Sequence, residues 1–239
     1  MTNSSKPFLG KPVDYTPAPY PKALSLSGTH IDLHPLNRDH APSLQRYFDE
    51  SEQDAIWDYL PYGPFASAQD YGDWIDENTA VGDPHFFAVI DKSTNDAIGV
   101  ASYLRINPKE GSIEVGHINF SPAMQGTIAA TETMFLMMQW AFENGYRRYE
   151  WKCNALNLKS RAAAQRLGFS YEGIFRQASI AKGRNRDTAW FGIIDQEWPQ
   201  LKAAFQTWLN PDNFDDAGQQ KQRLSALTAP VRVMSDPGL

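Results

Sequence analysis

Apolar and polar positions alternate along this chain with two periods, and the switches between them mark its elements. From residue 24 to 36 a partial two-residue alternation (Leu24, Leu26, then Ile31, Leu33) around Ser27-Gly28 predicts a hairpin or two short strands. Asn37-Arg38-Asp39-His40 precedes a helical stretch that Asn37 or Asp39 can cap, with Leu44, Tyr47 and Phe48 on one face. Residues 54–65 are rich in aromatics and broken by Pro61, Gly63 and Pro64, which predicts a short helix followed by a loop. Ser67 with Asp70 three residues on resembles a capping box, and Tyr71, Trp74 and Ile75 form the apolar face of the helix it opens. Three strand candidates follow at 86–90, 97–105 and 112–120, and the tight turns between them imply antiparallel neighbours. Residues 130–144 carry Met134, Met137, Met138, Ala141 and Phe142 at helical spacing, and Gly145 ends that helix. A strand at 148–153 and a helix at 157–167 that stops at Gly168 come next. Strands at 169–175 and 189–194, with the polar loop 182–187 between them, and a closing helix at 199–209 complete the pattern.

Three stretches differ in character. Residues 1–23 contain Pro7, Pro12, Pro17, Pro19 and Pro21 and are expected as an extended or loose arm. Residues 24–209 hold the regular elements. Residues 210–239 form a polar tail, expected to be irregular with one short helix at 218–227. Hydrophobic residues make up 42% of the 239, enough for a sizeable core. Lysine and arginine total 22 against 28 aspartates and glutamates, a formal charge of −6, which disfavours a nucleic-acid partner. Cys153 is the single cysteine, so no intrachain disulfide and no multi-cysteine zinc site can form. The first residues lack an apolar signal region, and no run nears the ~18 apolar residues of a membrane span. A soluble cytoplasmic protein with no membrane partner and no metal is therefore expected. The sequence leaves homodimerisation open.

The informative region runs from residue 112 to 190. The strand Ile113-Glu114-Val115-Gly116-His117-Ile118-Asn119-Phe120 leads through Ser121-Pro122 into Gln125-Gly126-Thr127-Ile128-Ala129-Ala130-Thr131, where a long helix begins. A junction of small residues at a helix start exposes unpaired backbone N–H groups at the positive end of the helix dipole, a site suited to a pyrophosphate. An ordinary tight turn into a buried helix reads the same way. A second segment has Trp151-Lys152-Cys153-Asn154 ending a strand. Asn157-Leu158-Lys159-Ser160 then opens a helix, and Leu167-Gly168-Phe169 closes it.

Both segments, in this order, resemble the GNAT acetyltransferase superfamily, and more narrowly its RimJ/RimL-type branch, over residues 29–198. The family's Gln/Arg-x-x-Gly-x-Gly/Ala loop is matched from Gln125 to Ala130, with Ile128 in place of the central glycine. Its Asn-x-x-Ser stretch before a Gly-Phe pair is matched by Asn157, Ser160, Gly168 and Phe169. The resemblance implies an α+β fold: a mixed, mostly antiparallel, twisted sheet with helices on both faces. The strands around Glu114 and Cys153 would be parallel neighbours joined by a right-handed crossover. It implies acetyl-CoA as donor, held by Gln125, Gly126, Thr127, Ile128, Ala129, Ala130 and Thr131, by Ile118, Asn119 and Phe120 on the strand, and by Asn157. The acceptor would be a primary amine, either a small molecule or a protein N-terminus. A non-catalytic acyl-CoA-binding or regulatory module on the same fold is the alternative.

Glu114 is the leading candidate for general base, against the plain reading of a strand carboxylate paired with an arginine or facing solvent. His117 titrates in a useful range but points, by alternation, away from Glu114. Glu114 would share its face with Gly116 and Ile118. The tyrosine acid of many family members is replaced by Ala164, so the acid role passes to Ser160, although a serine near a helix start often merely caps. Cys153 reads as an inert buried thiol. Trp57, Tyr59 and Tyr62 are candidates for the acceptor pocket wall, against core packing. Lys182-Gly183-Arg184-Asn185-Arg186-Asp187 is either an anion site or a solvated hairpin tip.

Overall fold

The structure, a computed structural model, describes residues 9–49 and 54–239. The first eight residues of the proline-rich arm lie outside the described residues. An eight-stranded sheet forms the middle layer, in the order β1-β2-β3-β4-β5-β6-β8-β7. Its strands are β1 (Leu26–Ser27), β2 (Ile31–Pro35), β3 (His85–Asp91), β4 (Ala97–Asn107), β5 (Ser112–Phe120), β6 (Arg148–Asn154), β7 (Ser170–Ala181) and β8 (Arg184–Ile194). Among the described residues only β5 and β6 run parallel; every other neighbouring pair is antiparallel. Helices α1 (Ala41–Asp49) and α2 (Ala68–Thr79) cover one face. Helices α3 (Ile128–Glu143), α4 (Leu158–Arg166), α5 (Trp198–Leu209) and α6 (Leu224–Thr228) cover the other. This is the α+β layout expected from the sequence.

Two apolar layers follow from that arrangement. The larger packs Met134, Met137 and Met138 of α3 and Phe205 of α5 on Ile113, Val115, Tyr149 and Trp151. Helix α3 is apolar nearly all round and correspondingly buried nearly all round. The smaller layer packs Leu44, Phe48, Tyr71 and Ile75 against Phe86, Ala88 and Val100. Asn37 caps the one-turn helix before α1 through a reciprocal bond with His40. Ser67 caps α2, its hydroxyl accepting from the Asp70 amide at 3.1 Å.

Three expectations change. The polar loop 182–187 shrinks to a two-residue turn, with φ of +47° at Lys182 and +72° at Gly183. Positive φ at both positions makes a turn whose twist matches the strands, so β7 and β8 continue into one long hairpin. The tail's helix is shorter and later than expected, and its Leu224 is fully buried. Asp236 near the chain end forms a buried ion pair with Arg161 of α4, Oδ2 to Nε 2.7 Å. The described part of the arm is extended and pinned, with the Tyr15 hydroxyl donating to Pro108 O and that of Tyr20 to Gly82 O, each at 3.0 Å. No helix among the described residues is long and apolar enough to cross a membrane.

Candidate active site

The parallel pair is short. β5 and β6 pair from Ser112 with Arg148 to Val115 with Trp151, and beyond that register they part. A cleft of about 1730 Å³ opens into the gap. One wall is the start of α3. Its first turn is preceded by Thr127, which caps nothing with its side chain; the hydroxyl donates instead to Met124 O at 2.6 Å. The first amides of the helix therefore face the cleft without a side-chain partner. Gly126 holds φ of +75°, and no atom lies within 4 Å of where its Cβ would be. Ile128, in place of the family's glycine, is the first residue of the helix; its φ is not positive and its side chain packs on the larger apolar layer. The position needs no glycine, and its amide is left unobstructed. Gln125 turns back to donate to Phe120 O at 2.8 Å. Thr131 accepts from Arg166 Nη1 at 3.1 Å. Uncapped amides, an open glycine and adjacent cationic Arg166 fit a diphosphate.

The other wall corrects the expected facing of β5. Val100 pairs with Asn119 and Ser102 with Gly116, so β5 spends one residue more than β4 in that interval. This is a bulge, and His117 takes its strained place at φ +49°. The extra residue reverses the alternation beyond it. Ile118 and Phe120 pack toward α3, on the side of Ile113 and Val115 and away from Glu114. His117 is carried to the other side, stacked on Tyr62 at 5.6 Å and edge-on to Phe86 at 5.0 Å. Glu114 and His117 thus share a face, contrary to simple alternation. Burial, then Arg105 and Arg186, lower the His117 pKa to about 4, so the imidazole is neutral at pH 7. Its Nδ1 is buried without a partner.

Glu114 is buried with one oxygen 2.7 Å from Arg105 Nη1 and the other 2.9 Å from Lys152 Nζ. The pairing expected as the plain reading is present. Even so, burial outweighs both cations and raises the carboxyl above its ordinary pKa. Lys152 also meets Glu150 at 2.7 Å and lies over the Trp190 ring at 3.8 Å.

Across the gap, Asn157 caps α4, its Oδ1 accepting from the Ser160 amide at 3.0 Å. The Ser160 hydroxyl accepts from Trp151 Nε1 at 3.0 Å. An indole N–H only donates, so the serine proton points to another acceptor, and the Cys153 sulfur is a hydrogen-bonding neighbour of that hydroxyl. Cys153 is buried, and burial pushes its thiol pKa up. Among the proposed pocket aromatics only Tyr59 lines the cleft, its hydroxyl donating to Leu156 O at 3.3 Å. Trp57 is core instead, in contact with Phe48, Phe65 and Tyr71. Tyr62 backs His117 from beneath. Arg105 and Lys152 carry no sequence signal of a site on their own; Lys152 stands two residues from Glu150 on a strand, so strict alternation is the one pattern that could place both beside Glu114. Arg186 reads in the sequence only as part of a charged run, and it lines the cleft.

The acetyltransferase (GNAT) domain family matches residues 30–170, and the chain belongs to that family. A GCN5-related N-acetyltransferase from Brucella melitensis is 44% identical, with 90% of this chain and 99% of that one covered at a TM-score of 0.87. A GNAT-family structure from Chromobacterium violaceum is 39% identical over 80% of this chain and 97% of its own, at 0.75. An uncharacterized N-acetyltransferase, p20, from Bacillus licheniformis is 24% identical over 70% of this chain and 94% of its own length. A RimL ribosomal L7/L12 alpha-N-protein acetyltransferase is 22% identical over 72% of this chain and 94% of its own, at a TM-score of 0.60, a likeness of fold alone. Members of the family use acetyl-CoA as co-substrate, and this chain is an acetyltransferase of that kind.

Proposed function

We propose that the protein transfers the acetyl group of acetyl-CoA to a primary amine by direct attack on the thioester. The observation that carries this is the parting of β5 and β6 beside an uncapped helix start. The α3 amides would hold the diphosphate, and the pantetheine arm would run down the gap past Asn157 toward Ser160. Free strand amides of β5 around Ile118 to Phe120 would polarise the carbonyl oxygen. The amine nitrogen forms a bond to the carbonyl carbon, the carbon–sulfur bond breaks, and coenzyme A leaves.

Two protons must move. Glu114, buried and with a raised pKa, would take one from the ammonium through water. Ser160 would hand its hydroxyl proton to the departing sulfur and regain one from the nitrogen as the amide forms. His117 remains neutral and would orient the acceptor. The RimJ/RimL-type motif, Asn157 with Ser160 ahead of Gly168-Phe169, favours an α-amine acceptor. A cytoplasmic site of action agrees with the donor.

Thermal-shift titration with acetyl-CoA followed by a thiol-release assay over an amine panel tests the reading. A shift with turnover on at least one amine is expected. A shift without turnover on any would favour the non-catalytic module, and no shift at all would end both.

A further inference from the structure

Beyond Glu114, the cleft holds a cation with no protein partner among the described residues. Arg186 of β8 is half-buried and lines the cleft. Its Nε is fully buried without a hydrogen-bond partner, and among the described residues its guanidinium makes no hydrogen bond or ion pair. Two neighbouring cations differ: Arg105 and Lys152 are both occupied by Glu114. Asp58 also lines the cleft, and no ion pair joins it to Arg186 among the described residues. A buried donor on a charged group costs free energy unless a ligand satisfies it.

Position gives the cation a meaning. Arg186 stands on β8 two residues before Thr188, which pairs with Asn154 at the end of β6, and it lines the cleft together with His117 of β5 and Cys153 of β6, where the thioester and the amine would meet. The hairpin that bears it is fixed: Lys182 donates to Trp57 O at 2.9 Å and to Gly63 O at 3.1 Å. The Trp57–Gly63 segment is tied to the far side by Tyr59 and Leu156. An acceptor would be met under a strap, beside a guanidinium whose buried Nε lacks a partner and whose fork matches a carboxylate.

We infer that Arg186 is the specificity-determining residue for an acceptor carrying a carboxylate next to its amine, a free α-amino acid. This rests on the acetyl-transfer reading above. An acidic side chain at a peptide N-terminus offers the same chemistry from another source, and the strap disfavours it.

The test uses the full chain, wild type and Arg186→Gln, in thiol-release assays with matched acceptors: free leucine, leucinamide, and a leucine-free peptide amide beginning with aspartate. The wild type is expected to favour the acid over the amide in kcat/KM by roughly tenfold to a hundredfold, the worth of a charge-assisted pair. In Arg186→Gln that ratio should fall to about one, with Arg186→Lys in between and the KM for acetyl-CoA unmoved. Equal use of leucine and leucinamide by the wild type overturns the inference. So does an unchanged ratio in the variant, a raised KM for acetyl-CoA, or preference for the acidic peptide. Turnover on other amines alongside any of these leaves acetyl transfer standing; turnover on none removes both.

Discussion

The two arms of the split are built on opposite principles. The arm from β6 into α4 is closed: the strand alternates without interruption, Asn157 caps the helix, and the buried Arg161–Asp236 pair clamps it, with Arg161 also donating to Ala155 O at 2.8 Å. The arm from β5 into α3 is left open. Its strand bulges at His117, its helix has no side-chain cap, and Asn119, Ser121 and His117 keep buried polar atoms without partners. On the closed arm the Tyr149 hydroxyl of β6 is the counterpart, buried without a partner among the described residues; unsatisfied groups cost stability, so their greater number on the open arm marks where a ligand completes the structure.

The sharpest way to break this contrast is to remove Glu114 from the open arm. Glu114→Gln should lower turnover about a hundredfold or more in the thiol-release assay while the thermal shift with acetyl-CoA persists. A matching loss in Ser160→Ala would give the closed arm a share of the chemistry, whereas full activity there would make it scaffold alone.

Acid is the next lever. His117 has a folded pKa of about 4 against an ordinary 6.5, so the folded protein binds fewer protons than the unfolded chain in that window. Stability present above pH 6.5 is lost as pH falls toward 4, on the order of 3 kcal/mol from this one group. His117→Asn, which tolerates the positive φ, should flatten that slope in denaturant titrations. Glu114 works in the other direction: its raised pKa favours the folded state at low pH and loses that contribution as pH rises through it.

On the closed arm, Asp236→Ala leaves Arg161 buried and unpaired and should cost about 3 kcal/mol in urea unfolding. The smallest effects compare the helix starts directly. Asn157→Ala should lose about 1 kcal/mol of stability, as caps usually do. Thr127→Asp should gain a similar amount by capping α3, yet weaken acetyl-CoA binding about tenfold by placing a negative charge where the diphosphate belongs. A Thr127→Asp protein that is both more stable and equally tight would erase the distinction between the arms.

Local chemistry makes much of this molecule legible in its sequence. Asn37, Ser67 and Gly145 announce their helix ends because a cap or a left-handed residue acts within four positions. The order of strands around Glu114 follows from the loop and Asn-Ser motifs. What stays hidden is non-local. Nothing near His117 signals a bulge, because a histidine at positive φ is imposed by the β4 register and not by its own preference. The buried Asp236 cannot be distinguished from the polar tail around it, since its partner lies 75 positions away. Trp57 reads as a pocket wall because the family resemblance puts its aromatic stretch over the acceptor site, and only tertiary packing shows it as core. Arg186 is visible as part of a charged run, but its lack of a partner is a property of three dimensions.

The bulge carries a consequence for how this chain can change over time. Because one surplus residue exchanges the two sides of β5, losing the single codon for Ile118 would leave the strand intact yet swing the imidazole in among the methionines of α3. Point substitutions cannot reach that outcome by degrees. Kin that differ in length at this spot, however alike elsewhere, are therefore expected to have parted ways in activity by one abrupt event.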